Sequence, residues 1–359
     1  MAIKRVSSVI SFLLILLLGT EVSALDPLKV ELKEDAAAKK VEVFVDGKLF
    51  TAYIFSEGLS KPVLWPVISP AGNSVTRGYP LAPVAGDRVD HPHHVGVWFN
   101  YGDVNGLDFW NNSGVIAADK AAAYGTIRHG NLEKIKNGRK DAEMRVSNEW
   151  VDSGGNKILD EKTTFRFLAN EKLRIIDRTT TLTAVSSDVR FPDNKEGLYA
   201  IRVSTELELP MSGSVEVTDQ EGRVGWVPAA DRSAVSGNYL GSNGLSGADV
   251  WGTRGKWMKL SGTINGEAVS VMIIDHPSNP GYPAYWHARG YGLFAVNNLG
   301  QKALSGGKNE LNFSLNQGKS VTFRYRLLVS SGELTTGQIN KLVKSFVCCR
   351  KSKLISKEW

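Results

Sequence analysis

Short runs of alternating apolar and polar residues, closed by turns that need positive backbone φ, recur along the chain and leave it few options besides antiparallel sheet. Val41, Val43 and Val45 alternate up to Asp46-Gly47, and the alternation resumes from Leu49 to Phe55. Two such residues between two strands make a type I′ hairpin, whose backbone twist matches that of the strands it joins. Trp257 to Ile264, Asn265-Gly266 and Glu267 to Ile274 repeat the arrangement. Further strand patterns cover Ala142 to Val151, Lys157 to Phe167 and Leu173 to Thr183, the last with threonine on alternate positions as in a sheet with one solvated face. Another strand enters after Asp193 and runs through Arg202 toward Leu209, and Asn309 to Leu315 with Val321 to Val329 form a closing meander. One helix is expected, capped by Thr336, with Ile339, Leu342, Val343 and Phe346 on one face. The expected fold class is all-β, a large antiparallel β-sandwich with one short C-terminal helix.

Lys4 and Arg5 precede an apolar run from Val9 to Leu18 and the small residues of Val22-Ser23-Ala24. This is the layout of a signal peptide, and the run is shorter than the roughly 20 residues that cross a bilayer. Residues 1–24 are therefore expected to be cleaved near Ala24, leaving a single large domain over 25–346 and a basic tail over 347–359. The mature chain is expected to be exported, periplasmic or extracellular, with no integral membrane segment. The formal net charge of +6 falls to about +2 without the signal and the tail, and the remaining charges are interspersed, so no nucleic-acid footprint is present. The only cysteines, Cys348 and Cys349, are adjacent and near the end, which provides no disulfide framework and no nucleophile.

Half of the six histidines sit in Asp90-His91-Pro92-His93-His94-Val95-Gly96-Val97-Trp98-Phe99-Asn100. If this run is extended from His93, then His93, Val95, Val97 and Phe99 face the core, while His94, Gly96, Trp98 and Asn100 line a polar, ring-binding groove. Asp90 before this cluster and Asp275 before His276 place a carboxylate beside imidazole, which raises its pKa and fixes its tautomer for acid/base work. His91, His93 and His94 also suit a divalent metal, although adjacent side chains of an extended strand point to opposite faces. Glu196 shares a strand face with Leu198, Ala200 and Arg202, next to Lys195. Tyr285, His287, Arg289 and Tyr291 alternate with Trp286, Ala288 and Gly290. The loop-rich segment 212–255 ends with Trp251 and Arg254, and the small-residue stretch Ala117 to Ala123 reads as a short helix or a lid. Aromatics interspersed with Arg, His, Asp and Asn are what a saccharide site needs. No nucleophile elbow, Walker loop or zincin helix is present in the sequence.

The motifs HPHHVGVWF, KEGLYAIR, VWGTRGKW and YPAYWHARGYGLFAVN are long enough to be specific. Through them the chain resembles an exported bacterial family commonly labelled "methane oxygenase PmoA", and its pattern is similar to galactose-mutarotase-like β-supersandwiches. That resemblance implies a concave sheet holding a sugar between histidine and glutamate acid/base groups. Carried over, it makes His94, Glu196 and His287 the catalytic candidates, supported by Arg202, Arg289 and Asn297. From the residues themselves, His91, His93, Trp98, Asp108, Trp110, Lys195, Trp251, Arg254, His276 and Tyr285 complete the substrate-binding set. The expected ligand is a saccharide or uronic acid, with epimerisation, β-elimination and hydrolysis all open. A non-catalytic glycan-binding protein is the alternative. A metal-dependent oxygenase, as the label suggests, stands third because a signal followed by soluble β patterns does not describe a membrane subunit. No resident cofactor is assigned, with a divalent ion at the His91/His93/His94 cluster kept as an option.

Overall fold

The computed structural model describes residues 26–348, so the expected signal peptide and most of the expected tail lie outside the described residues. Two eight-stranded antiparallel sheets pack face to face. The first runs Val30–Asp35, Lys40–Val45, Lys48–Ile54, Val63–Leu64, Val97–Tyr101, Gly197–Arg202, Leu293–Asn297, Tyr285–Ala288. The second runs Asn238–Gly241, Trp257–Ile264, Glu267–Asp275, Ser320–Ser331, Leu173–Ala184, Lys157–Ala169, Ala142–Val151, Thr126–Lys136. Both predicted tight turns form with the required geometry. Asp46 and Gly47 have φ of 46° and 77°, and Asn265 and Gly266 have φ of 49° and 80°. Among the described residues no helix is long and apolar enough to cross a membrane.

Alternation decides which side chains meet between the sheets. Val97 and Phe99, Tyr199 and Ile201, Phe294 and Val296 enter the shared core with Phe165, Phe167, Val271 and Tyr325 from the other sheet. Their neighbours Trp98, Ala200 and Ala295 form a separate small cluster with Val63, Val95 and Trp110 on the opposite face of the first sheet. On the outer face of the second sheet, Ile339 and Leu342 of the helix Thr336–Cys348 cover Leu168, Ile175, Met272 and Leu328. The cap of that helix is Thr335 rather than Thr336. Thr335 Oγ1 accepts from the Gln338 amide at 3.3 Å while Gln338 Oε1 accepts from the Thr335 amide at 2.9 Å, a reciprocal capping box. The segment 212–255 holds a small hairpin, Ser214–Thr218 with Val224–Pro228, that its weak apolar periodicity concealed because the second strand exposes Val224 and Trp226. Ala118–Ala123 forms an exposed 3-10 helix.

A charged pair, Glu161 with Arg178, stands inside the core. Glu161 is buried, and its carboxylate accepts from Arg178 Nη2 at 2.8 Å, Trp150 Nε1 at 2.9 Å, Thr163 Oγ1 at 2.6 Å and Asn148 Nδ2 at 3.1 Å. Tyr53 reaches across from the first sheet to donate to Asn148 Oδ1 at 3.0 Å. The Trp150 and Asn148 donors would be orphaned by an apolar residue at 161, and a buried guanidinium left without its carboxylate is costly. Glu161→Leu is therefore expected to lower stability by about 3–5 kcal/mol, read as a reduced urea midpoint; a loss below about 1 kcal/mol would show that solvent reaches the pair.

Candidate active site

The site is built on the face of the first sheet turned away from the second. Its histidines are gathered by Arg77, a buried residue in the Pro/Gly-rich segment before them. Arg77 Nη1 donates to the carbonyls of Arg88 and Asp90 at 3.1 and 2.9 Å and to Asp90 Oδ1 at 2.8 Å; Nη2 donates to the carbonyls of His91 and His94 at 3.0 and 3.1 Å. A loop wrapped around one guanidinium cannot be extended. His91 has φ of 47°, the His94 amide closes a turn onto the His91 carbonyl at 2.9 Å, and the strand begins only at Val97. Gly96 resets the phase, with φ of 55° and room for no Cβ, which would lie 2.2 Å from the Leu64 carbonyl oxygen. Val95 thus joins Trp98 on the site face, contrary to the alternation expected from His93, and all three imidazoles converge on one wall.

That wall faces a cavity of about 390 Å³. Trp110 and Asn111 flank the histidines; Lys195 and Glu196 come from the entry to the neighbouring strand; His287, Arg289 and Tyr291 come from the sheet edge, with Trp251 at the rim. His91 lies parallel to His94 and to Tyr291, with centroids 4.8 and 4.9 Å apart, and His94 stacks on the buried Trp98 at 5.2 Å.

Hydrogen bonds fix two of the imidazoles in opposite senses. Arg202 is buried, donates to Asp90 Oδ1 through Nη2 at 2.5 Å, and places Nη1 3.2 Å from His94 Nδ1. A guanidinium only donates, so Nδ1 accepts and the proton of neutral His94 resides on Nε2, which has no partner in the protein. His287 Nδ1 lies 3.1 Å from the Lys195 carbonyl and 3.6 Å from Glu196 Oε2, two acceptors, so it carries the proton and Nε2 keeps a lone pair. Asn297 holds that carbonyl in place. Its amide nitrogen donates to Asn194 and Lys195, both at 2.9 Å, while its oxygen accepts from the amides of Leu299 and Gly300.

Burial and neighbouring cations keep these rings neutral. Burial, then Lys61 and His91, depresses His93 to about 2. Burial, then Lys195 and Arg289, depresses His287 to about 3. His94 is held well below its ordinary range, mainly by burial. At Asp90 burial pushes the carboxyl's pKa up, but His91, Arg202 and Arg77 outweigh it and hold the carboxyl ionised. At His276, burial and Arg324 push the imidazole down.

Seven of the sequence candidates stand apart from the cavity walls. Trp98 underlies His94, and Arg202 and Asn297 act through His94 and the Lys195 carbonyl. Asp108 accepts from the amides of Trp110 and Asn111 at 2.8 and 2.9 Å and shapes its own loop. Arg254 donates to the carbonyls of Pro283 and Gly281, Tyr285 OH accepts from Asn309, and His276 Nδ1 is 2.8 Å from Ser278 Oγ. Arg77, Asn111 and Lys61 were missed. Arg77 sits among prolines and glycines that signal only loop, and nothing in the sequence marks Lys61, which is buried, donates to the His93 carbonyl at 2.8 Å, and is pushed down to about 7 mainly by burial.

A metal fits this cluster poorly. An ion must lie near the plane of each imidazole it binds, and His91 and His94 are stacked with planes 4° apart, so no one position lies near both planes. The open nitrogen of His94 also carries its proton. Among the described residues no group of three or more His, Cys, Asp or Glu side chains could hold a metal ion.

Residues 40–344 match the model of a family of unknown function, DUF6807. The chain belongs to that family. No curated protein matches, and no comparison supports the methane oxygenase label. Among solved structures the chain is similar to the GH36 α-galactosidase AgaB from Geobacillus stearothermophilus, at 9% identity and a TM-score of 0.39, covering 87% of this chain and 42% of that one. It is similar to a putative aldose 1-epimerase from Escherichia coli K12, at 8% identity and 0.33, covering 84% and 99%. A third is the Slr1438 protein from Synechocystis sp. PCC 6803, at 10% identity and 0.31, covering 91% and 100%. The chain thus spans less than half the length of the galactosidase.

The depressed imidazoles give stability a defined pH dependence. Between their ordinary value of 6.5 and about 3, the unfolded chain binds protons that folded His93, His94 and His287 refuse, so the contribution of these three rings is constant above pH 6.5 and falls below it, while Lys61, lowered to about 7, adds a further rise in stability above pH 7. Asp275, raised to about 6 mainly by burial, opposes this trend over the acid part of the window. The urea midpoint is expected to fall from pH 7.5 to pH 5, and the fall to shrink in His287→Gln; an unchanged slope in that variant counts against a buried neutral His287.

Proposed function

We propose that this DUF6807 protein binds a saccharide in the cavity and carries out proton transfer on its ring. The observation that supports this most is that one cavity, lined also by Trp110, Trp251 and Tyr291, brings together His94, whose unpartnered Nε2 carries the proton, and His287, whose Nε2 keeps a lone pair. Indole and phenol faces suit the CH faces of a sugar. His287 takes the proton at Nε2. Its Nδ1–H already faces the Lys195 carbonyl and Glu196, so the imidazolium that forms is stabilised where it arises. His94 donates a hydrogen bond to the oxygen on which negative charge develops. Epimerisation, β-elimination and hydrolysis all use such a step. Export through residues 1–24 belongs to the same proposal, since polymeric saccharides are met outside the cell.

One observation favours a second reading. A His287 pushed down to about 3 is a weak base at neutral pH, which suits a protein that only holds its glycan. Proton NMR in D₂O with a panel of neutral and uronic oligosaccharides separates the two. New anomeric, vinylic or reducing-end signals are expected, lost by at least about 100-fold in His287→Gln and in His94→Gln with near-UV circular dichroism unchanged. Ligand line broadening with no new signal in any sample would replace catalysis with binding alone, and spectra without broadening or turnover would remove the saccharide reading.

A further inference from the structure

Charge is distributed unevenly around the cavity. Lys195 and Arg289 line it, and Arg77 and Arg202 lie directly behind the histidines; against these four cations stand two carboxylates, Asp90 and Glu196. Both carboxylates are already engaged. Asp90 Oδ1 accepts from both buried arginines, and Glu196 is paired with Lys195. Beyond Asp90, Arg88 and Arg232 face Glu208, at 3.4 and 2.7 Å, and Asp87 is a second buried carboxylate nearby, so these surroundings balance and the positive excess is that of the cavity itself. Low-dielectric walls focus such a field into the concavity.

Arg289 is the cation left over. Its guanidinium packs over Trp251 and Tyr291, 5.6 and 5.9 Å from the ring centroids, and among the described residues no carboxylate pairs with it. Rings on its faces hold the plane still and leave the N–H edge for a partner. A planar fork of donors matches a carboxylate in two-point contact.

We infer that the ligand is an anionic saccharide whose carboxylate is received by the Arg289 edge while its ring reaches His94 and His287. The inference rests on the saccharide reading and narrows it to uronic acids. In such a sugar the carboxylate acidifies the neighbouring C–H, and Arg289 stabilises the charge that spreads onto the carboxylate when that proton leaves. This compensates for the weak basicity of a neutral imidazole in a cationic setting.

The test uses the full mature chain and a set of uronic-acid disaccharides, each paired with its carboxyl-reduced neutral counterpart of identical linkage. Binding is measured by calorimetry at 50 and 500 mM NaCl, roughly a threefold change in Debye length. The expected result is that at least one acid binds about 10-fold or more tightly than its neutral partner, that the ratio shrinks at high salt, and that Arg289→Ala abolishes the preference while Arg289→Lys keeps part of it. Because Arg289 is exposed, both variants should fold as the parent does. Equal binding of acid and neutral forms, or a preference that survives Arg289→Ala, overturns the inference and leaves the saccharide reading standing. If neither form of any pair binds, both fail together.

Discussion

The contact on which the site depends is that of the Arg77 guanidinium with the backbone of the histidine loop. Four carbonyls and one carboxylate oxygen converge on a single side chain, which bends residues 88–94 back on themselves. A peptide segment with several inward carbonyls is costly to bury unless a donor with many N–H groups satisfies them. Burial, reinforced by nearby Arg202, lowers the pKa of Arg77 to about 9, which still leaves it charged at neutral pH. Asp90 completes the arrangement by accepting from Arg77 and Arg202 with the same oxygen, so the loop and the strand carrying Arg202 are fixed to each other.

The two faces of the first sheet divide the work. The inner face is committed to the shared core, where even the buried carboxylate of Glu161 is consumed by four donors. The outer face carries the polar groups, and beneath them lies only the small cluster around Trp98 and Trp110. Side-chain positions there are set by hydrogen bonds and ring stacking more than by apolar packing. The imidazoles can therefore be buried enough to stay neutral and yet border a cavity.

How much was legible in the sequence follows the range of the physical signal. Period-2 alternation and the Asp46-Gly47 and Asn265-Gly266 turns are local, and they identified the sheet class and several strands. The residues that line the cavity come from five separate stretches, and each holds at least one residue that the sequence marks as a candidate, because His, Trp, Arg and a Lys-Glu pair are concentrated in them. The failure lay in the loop. An extended reading placed His93 and His94 on opposite faces because nothing near them in the chain announces that Arg77, more than ten residues earlier, occupies the space they curl around. Asp108 and Arg254 looked like ligand contacts for the same reason: a carboxylate or guanidinium that satisfies its own loop has the composition of one that meets a substrate.

The Arg202 and Lys195 contacts give the cavity a direction. With Nδ1 of His94 occupied by a guanidinium and Nδ1 of His287 by a carbonyl, the first ring keeps a proton on Nε2 and the second a lone pair. Neither ring can exchange roles without breaking the bond behind it. A group hydrogen-bonded to both rings would have to present an acceptor to His94 and a donor to His287, and the reverse arrangement would be mismatched at each. The polarity of each ring is thus set from behind, by an arginine at one and a backbone carbonyl at the other.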